Sequence, residues 1–199
     1  MEMNAWEVAG FVTGVVAVWL TARESVWCWP TGLVNVGLYA VVFWRSKLYA
    51  DTGLQLVFAG FCLYGWWEWL HGGPKGGKLA VSRTSAGALL GLVALGAAAA
   101  AVLGLILHRA TDASLPFWDA GTTAGSLVAQ GLQTRKRIET WVFWIAVDVV
   151  YVGMYVVKGL YLTAVLYTVF LGLCVLGLVE WRRSLAAGGE HAAVAPEAA

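Results

Sequence analysis

The chain has 199 residues, of which 60% are apolar and only 13% are charged, where a soluble domain carries about 25% charged residues. With a mean hydropathy of +0.71, that composition excludes an ordinary soluble fold and indicates long, charge-poor membrane helices. A net charge of +1 gives no reason to expect a nucleic-acid partner.

Seven spans are predicted, at residues 5–22, 27–44, 48–70, 85–107, 115–134, 139–157 and 160–181. At 1.5 Å per residue each reaches across a hydrocarbon core of ~30 Å. The loops are short, so neighbouring helices are expected to run antiparallel. Glu2 and Glu7 make the first residues acidic, which does not fit the basic start of a cleavable signal peptide. Cys28, Cys62 and Cys174 lie in or beside apolar runs; an odd count without metal spacing reads as small buried hydrophobes. Residues 184–199 lack periodicity and are expected to be a disordered tail.

Basic residues set the expected orientation. Arg23, Lys75, Lys78, Arg83, Arg135, Lys136, Arg137, Arg182 and Arg183 fall on the side of the C-terminus, and Arg45, Lys47, Arg109 and Lys158 on the other. This excess places the C-terminus in the cytoplasm and the N-terminus outside. Trp66, Trp67, Trp69 and Trp181 read as an aromatic belt on the cytoplasmic side.

The chain also repeats itself. A shift of 112 positions carries Arg23 onto Arg135, Trp29 onto Trp141, Tyr39 onto Tyr151 and Leu48-Tyr49 onto Leu160-Tyr161. It also carries Cys62 onto Cys174, Gly65 onto Gly177 and Glu68-Trp69 onto Glu180-Trp181 without a gap. Matches at Trp, Glu-Trp and Arg are not what two hydrophobic stretches share by chance. Two three-helix repeats follow, 5–70 and 115–183, joined by a loop and linker helix at 71–114. An odd connector makes the two repeats parallel. The linker core is purely aliphatic, and its Gly96, Ala100 and Gly104 form a small-residue ridge for packing within or between subunits.

The sixth span carries the candidate chemistry. Trp141 and Trp144, three apart, share a helix face, and Asp148 extends it one turn deeper. An ionisable residue in a span costs at least ~2.5 kcal/mol and is a functional candidate by default. Helix rise places Asp148 ~13 Å and Asn35 ~12 Å from one face, and Gln55 ~10 Å from the other. Thr13, Thr122 and Ser126 add polar groups near mid-depth, where transporters built from repeats bind solute. Each has a plainer reading. The hydroxyls can bond their own preceding turn, Asn35 and Gln55 can join helices, Trp141 can anchor an interface, and Asp148 can pair with Tyr151. Indole faces favour flat or cationic rings, amides read carboxamides and hydroxyls, and a carboxylate offsets positive charge. Together these suit a planar, weakly cationic, hydroxylated molecule of vitamin size. Gly72-Gly-Pro-Lys-Gly-Gly-Lys78 imitates a phosphate loop, but Leu79 stands where Ser or Thr is needed. It reads as a basic, flexible loop, with no ATP motor. His71, His108 and His191 show no metal spacing, no nucleophile–base set is visible, and no cofactor is expected.

Trp29-Pro-Thr-Gly32 with Asn35, Leu48-Tyr-Ala-Asp-Thr-Gly-Leu-Gln55 and Gly65-Trp-Trp-Glu-Trp69 resemble the first half of the Pnu vitamin transporters. Arg135-Lys-Arg-Ile-Glu-Thr-Trp141, Trp144, Asp148 and Lys158-Gly-Leu-Tyr-Leu-Thr163 resemble their nicotinamide riboside branch, PnuC. The resemblance runs from about Trp6 to Arg183. It implies an all-helical inner-membrane facilitator of bacteria, with a three-plus-one-plus-three, SWEET-like fold, often a homotrimer. It implies uptake of nicotinamide riboside without ATP, trapped by a cytoplasmic kinase. The family's Trp-x-x-Trp motif maps onto Trp141 and Trp144, and its span-three glutamine onto Gln55. Sister branches carry thiamine, riboflavin or deoxynucleosides, so thiamine on the same scaffold is the first alternative. A membrane enzyme or a passive assembly protein is the alternative of another class. The expected mechanism is rocking of two three-helix units about a midplane site, with Trp141, Trp144, Asp148, Asn35, Gln55, Ser126, Thr122 and Tyr151 as contacts.

Overall fold

The structure, a computed structural model, describes residues 5–45, 49–111, 115–157, 159 and 161–194. Lys47 and Lys158 of the orientation count, Leu48 and Leu160 of the repeat, and residues 195–199 of the expected tail lie outside the described residues. The described residues form seven α-helices: α1 (Ala5–Ala22), α2 (Cys28–Arg45), α3 (Tyr49–His71), α4 (Ala86–Ala110), α5 (Pro116–Thr134), α6 (Thr140–Val157) and α7 (Tyr161–Val194), with a 3₁₀ turn at Pro74–Gly76.

Local chemistry explains the boundaries. Pro116 opens α5, where its missing N–H costs no helix bond. Ser85 caps α4, its hydroxyl accepting the Ala88 amide. Gly159, at φ +71°, makes the turn between α6 and α7. α7 continues to Val194, beyond Arg183, where periodic structure was expected to end. The stretch after Arg183 is rich in Ala and contains no proline before Pro196, so helix propensity carries the last turns without apolar periodicity. By length and apolarity alone, α4, α6 and Thr163–Ala187 of α7 can each cross a membrane, and Val8–Ala22 is a shorter apolar helix. The other helices carry more polar side chains.

The described residues pack as two units. The first gathers the chain up to Val81, Thr134–Lys136 and the chain from Leu176; the second gathers Ser82–Gln133 and Arg137–Val175.

In the first unit, α2 packs along both α1 and α3. Its core is aromatic. Trp29 meets Trp69 edge-on at 5.3 Å between ring centres, and Trp69 meets Trp181 at 5.9 Å. The Trp181 indole N–H donates to the Thr21 carbonyl at 3.0 Å. Gly65 makes room for this cluster, because a Cβ there would sit 2.3 Å from the Trp29 ring. Trp69 and Trp181, read from sequence as interfacial belt residues, are core residues here, at 3% and 0% exposure, while Trp67 is exposed. A Trp at a helix end satisfies either pattern; only packing decides.

In the second unit, α4 uses its small-residue ridge on α5. A Cβ on Gly96 would touch Val128, and one on Gly104 would lie 2.5 Å from Phe117. The ridge therefore serves packing inside the chain. After α3, an extended run is fastened to the α5–α6 turn. Ser82 forms an isolated parallel bridge with Arg137, and its carbonyl accepts the Ile138 amide at 3.0 Å. The Thr84 amide and hydroxyl both donate to the Glu139 carboxylate, at 3.0 and 2.9 Å.

The repeat holds at atomic detail in the two interhelical turns. Glu24 and Lys136, equivalent under the shift of 112, are both left-handed, at φ 54° and 51°. Around Glu24 the amides of Ser25, Cys28 and Trp29 donate to Leu20, Ser25 and Val26; around Lys136 those of Arg137, Thr140 and Trp141 donate to Leu132, Arg137 and Ile138. These are the same bonds shifted by the same interval.

Candidate functional site

The candidate residues on α5 and α6 lie in the second unit. Contacts in antiparallel order join α5 to α6. The Thr140 hydroxyl donates to the Ala129 carbonyl at 2.8 Å, a Cβ on Gly125 would lie 2.9 Å from Val147, and the side chains of Thr122 and Tyr151 interact. Small residues at 125 and 129 allow this approach and so place the polar stripe of α5 beside the Trp–Asp face of α6.

Trp144 is half-buried, and its indole N–H donates to Gln133 Oε1 at 3.1 Å. That bond fixes the ring and spends its one donor, leaving the aromatic face for stacking. Asp148 is buried and accepts a hydrogen bond from the Cys174 thiol at 3.4 Å. Tyr151, the partner suggested by spacing, instead stacks with Tyr155 at 5.8 Å and meets Tyr167 at 4.8 Å. A neighbour on the same helix loses here to one brought in by α7.

Trp141 is 1% exposed, so the interfacial-anchor reading is corrected: an anchor needs one edge in the headgroup region. Thr122 follows the plain reading, its hydroxyl donating to the Trp118 and Asp119 carbonyls at 3.0 Å. Ser126 is buried and makes no such bond among the described residues.

In the first unit, the Asn35 amide nitrogen donates to the Gly10 carbonyl and to the Thr13 hydroxyl, the latter at 3.2 Å. It joins α2 to α1, and its carbonyl oxygen is what it can offer a solute. Gln55 is half-buried on α3.

Sequence reading passed over Gln130, Gln133 and Cys174. The first two were visible as the continuation, at helical spacing, of the Thr122–Ser126 stripe. Their counterparts in the first repeat sharpen the signal. Thr122, Ser126, Gln130, Trp144 and Asp148 stand opposite Gly10, Gly14, Val18, Gly32 and Val36.

Residues 4–183 match the family described as nicotinamide mononucleotide transporter. The chain is 28% identical to the nicotinamide riboside transporter PnuC of Escherichia coli, over 96% of this chain and 90% of that protein. It is 29% identical to the riboflavin/roseoflavin transporter RibM of Streptomyces davaonensis, over 88% and 83%. Its fold matches the crystal structure of the vitamin B3 transporter PnuC with a TM-score of 0.71 at 24% identity, covering 90% of this chain and 81% of that one. This is the SWEET-like, all-helical fold of a multi-pass membrane protein. With its seven helices and its family match over nearly the whole length, the chain belongs to the nicotinamide mononucleotide transporter family, the Pnu-type vitamin transporters, and is a transporter rather than an enzyme.

Proposed function

We propose that the chain carries nicotinamide riboside across a bacterial inner membrane by facilitated diffusion, with a cytoplasmic kinase maintaining net uptake by phosphorylating the vitamin. The observation that carries this reading is the α6 face: Trp144, its N–H spent on Gln133, one turn before the buried carboxyl of Asp148. A nicotinamide ring bonded to ribose is flat and positively charged. An indole face stabilises such a ring by ~0.5–2 kcal/mol, and a carboxylate a turn away offsets its charge. Ser126, Thr122 and Tyr151 line the same α5–α6 face. The assignment extends to repeats at 5–70 and 115–183, a linker at 71–114, a homotrimer, and a cytoplasmic C-terminus.

Liposomes holding the purified protein, with no kinase present, test the reading. Labelled riboside should equilibrate faster than in empty liposomes, saturably and without an ion gradient. Entry no faster than in empty vesicles refutes transport of this vitamin; accumulation that needs a proton gradient refutes facilitated diffusion.

A second reading, riboflavin, is favoured by the 29% identity to RibM, since an isoalloxazine ring also stacks on indole. Thiamine is the third cargo for the same competition assay. The vitamin that displaces labelled riboside at the lowest concentration identifies the cargo.

A further inference from the structure

Two polar side chains on α5 stand out in the second unit. Ser126 and Gln130 lie one turn apart, each 8% exposed, and neither side chain hydrogen-bonds within the described residues. Their polar atoms nevertheless keep accessible surface, so each can still bond a water or a solute. Thr122, one turn before Ser126, is satisfied by its own helix, so the polar groups left for a solute begin at Ser126.

The scaffold does not need them. The equivalent positions in α1 are Gly14 and Val18, and α1 packs along α2 without polar side chains there. Their surroundings are those of the candidate site. The Gly125–Val147 and Ala129–Thr140 contacts flank Ser126 along α6, Gln130 follows directly, and Gln133, one turn beyond Gln130, holds Trp144.

We propose that Gln130 and Ser126 form a polar subsite that reads the carboxamide of the vitamin. The Gln130 side chain presents one N–H donor beside one C=O acceptor, the complement of a primary carboxamide, and the Ser126 hydroxyl supplies a further bond. The ligand then takes up a donor and acceptors that the chain does not use itself. This rests on the riboside reading above, and it makes Gln130 the residue that distinguishes a carboxamide from a carboxylate, which has no N–H to give.

The test is a ratio: affinity of purified protein for nicotinamide riboside over that for nicotinic acid riboside. Wild type should favour the amide by ~10–100-fold, as one or two hydrogen bonds to a buried amide imply. Gln130→Leu should reduce that preference to within about threefold, and Ser126→Ala should narrow it partially. A Gln130→Leu protein that binds both ligands more weakly in the same proportion marks Gln130 as packing only and overturns the proposal. If Gln130→Leu is not monodisperse, Gln130→Asn, which keeps the amide but withdraws it, must narrow the ratio instead. Wild type that binds neither riboside overturns the riboside reading and this inference with it; binding whose ratio survives substitution overturns this inference alone.

Discussion

Lys136 is the best placed charge in the first unit. Its ammonium lies 2.8 Å from the Glu24 carboxylate, with side chains 9% and 24% exposed. It also donates to the Leu79 carbonyl at 3.0 Å and sits 4.7 Å from the centre of the Trp69 ring. Lys136→Met keeps the aliphatic stem and removes the charge. Breaking a fully buried pair costs ~3–5 kcal/mol, but water reaches a quarter of Glu24, so the expected loss is about 2–3 kcal/mol. The orphaned Leu79 carbonyl and the lost cation–π contact are included in that figure. For a chain of this size the loss lowers the unfolding midpoint by about 5–10 °C, read by fluorescence-detected size exclusion in detergent. The repeat supplies the control. Both positions sit in equivalent left-handed turns, so the exchange Glu24→Lys with Lys136→Glu meets no new backbone strain. It restores the ion pair but sets a carboxylate against Leu79 and Trp69, so about half the loss should return. A Lys136→Met midpoint within about 1 °C of wild type, or an exchange no better than the worse single variant, refutes the reasoning.

Two further outcomes follow from the packing. Gly65→Val should prevent Trp29 from lying against α3, because even a Cβ meets the ring at 2.3 Å; overpacking of this kind costs ~1–3 kcal/mol or more, visible as a lower midpoint or loss of monodisperse protein, and Gly65→Ala should be the milder of the two. Cys174→Ala removes the one side-chain donor to Asp148 among the described residues; riboside binding should weaken about three- to tenfold, as loss of ~1 kcal/mol of positioning implies, with Cys174→Ser restoring it, and equal binding by all three proteins would show that the thiol does not position Asp148.

The helices were legible because seven apolar runs are punctuated by Pro, Gly and charge. α1 and the C-terminal ends of α5 and α6 fall where the runs end. Asp148 was legible because a lone carboxylate in an apolar span must have a reason. Its partner was not, since Cys174 comes from another helix and a cysteine in an apolar run reads first as filler. Lys136 was hidden for a related reason. In Arg135-Lys-Arg137 it is one loop cation among three, and only the left-handed turn sends it toward Trp69 and Glu24. Gln130 and Ser126 were legible in spacing alone, but their lack of partners appears only when every neighbour is placed.

The internal repeat separates the two tryptophans of α6. Trp141 has a counterpart in Trp29, and both are 1% exposed at the start of their helices. A residue used identically in both halves serves what the halves share, the three-helix frame. Trp144 stands opposite Gly32; the frame is built there with no side chain at all, and the indole keeps accessible surface. The two should therefore fail differently. Trp141→Phe shortens a fully buried side chain and leaves a cavity, costing ~1–3 kcal/mol of stability, while any riboside affinity that survives folding stays near wild type. Trp144→Ala leaves the midpoint within a few degrees and weakens riboside binding about 3–30-fold, the loss of one stacking contact of ~0.5–2 kcal/mol. Measured side by side, stability tracks the shared tryptophan and affinity the unshared one. If Trp141→Phe weakens binding as strongly as Trp144→Ala without lowering the midpoint, repetition is no guide to which residues belong to the scaffold, and the assignment of Trp144 loses its strongest support.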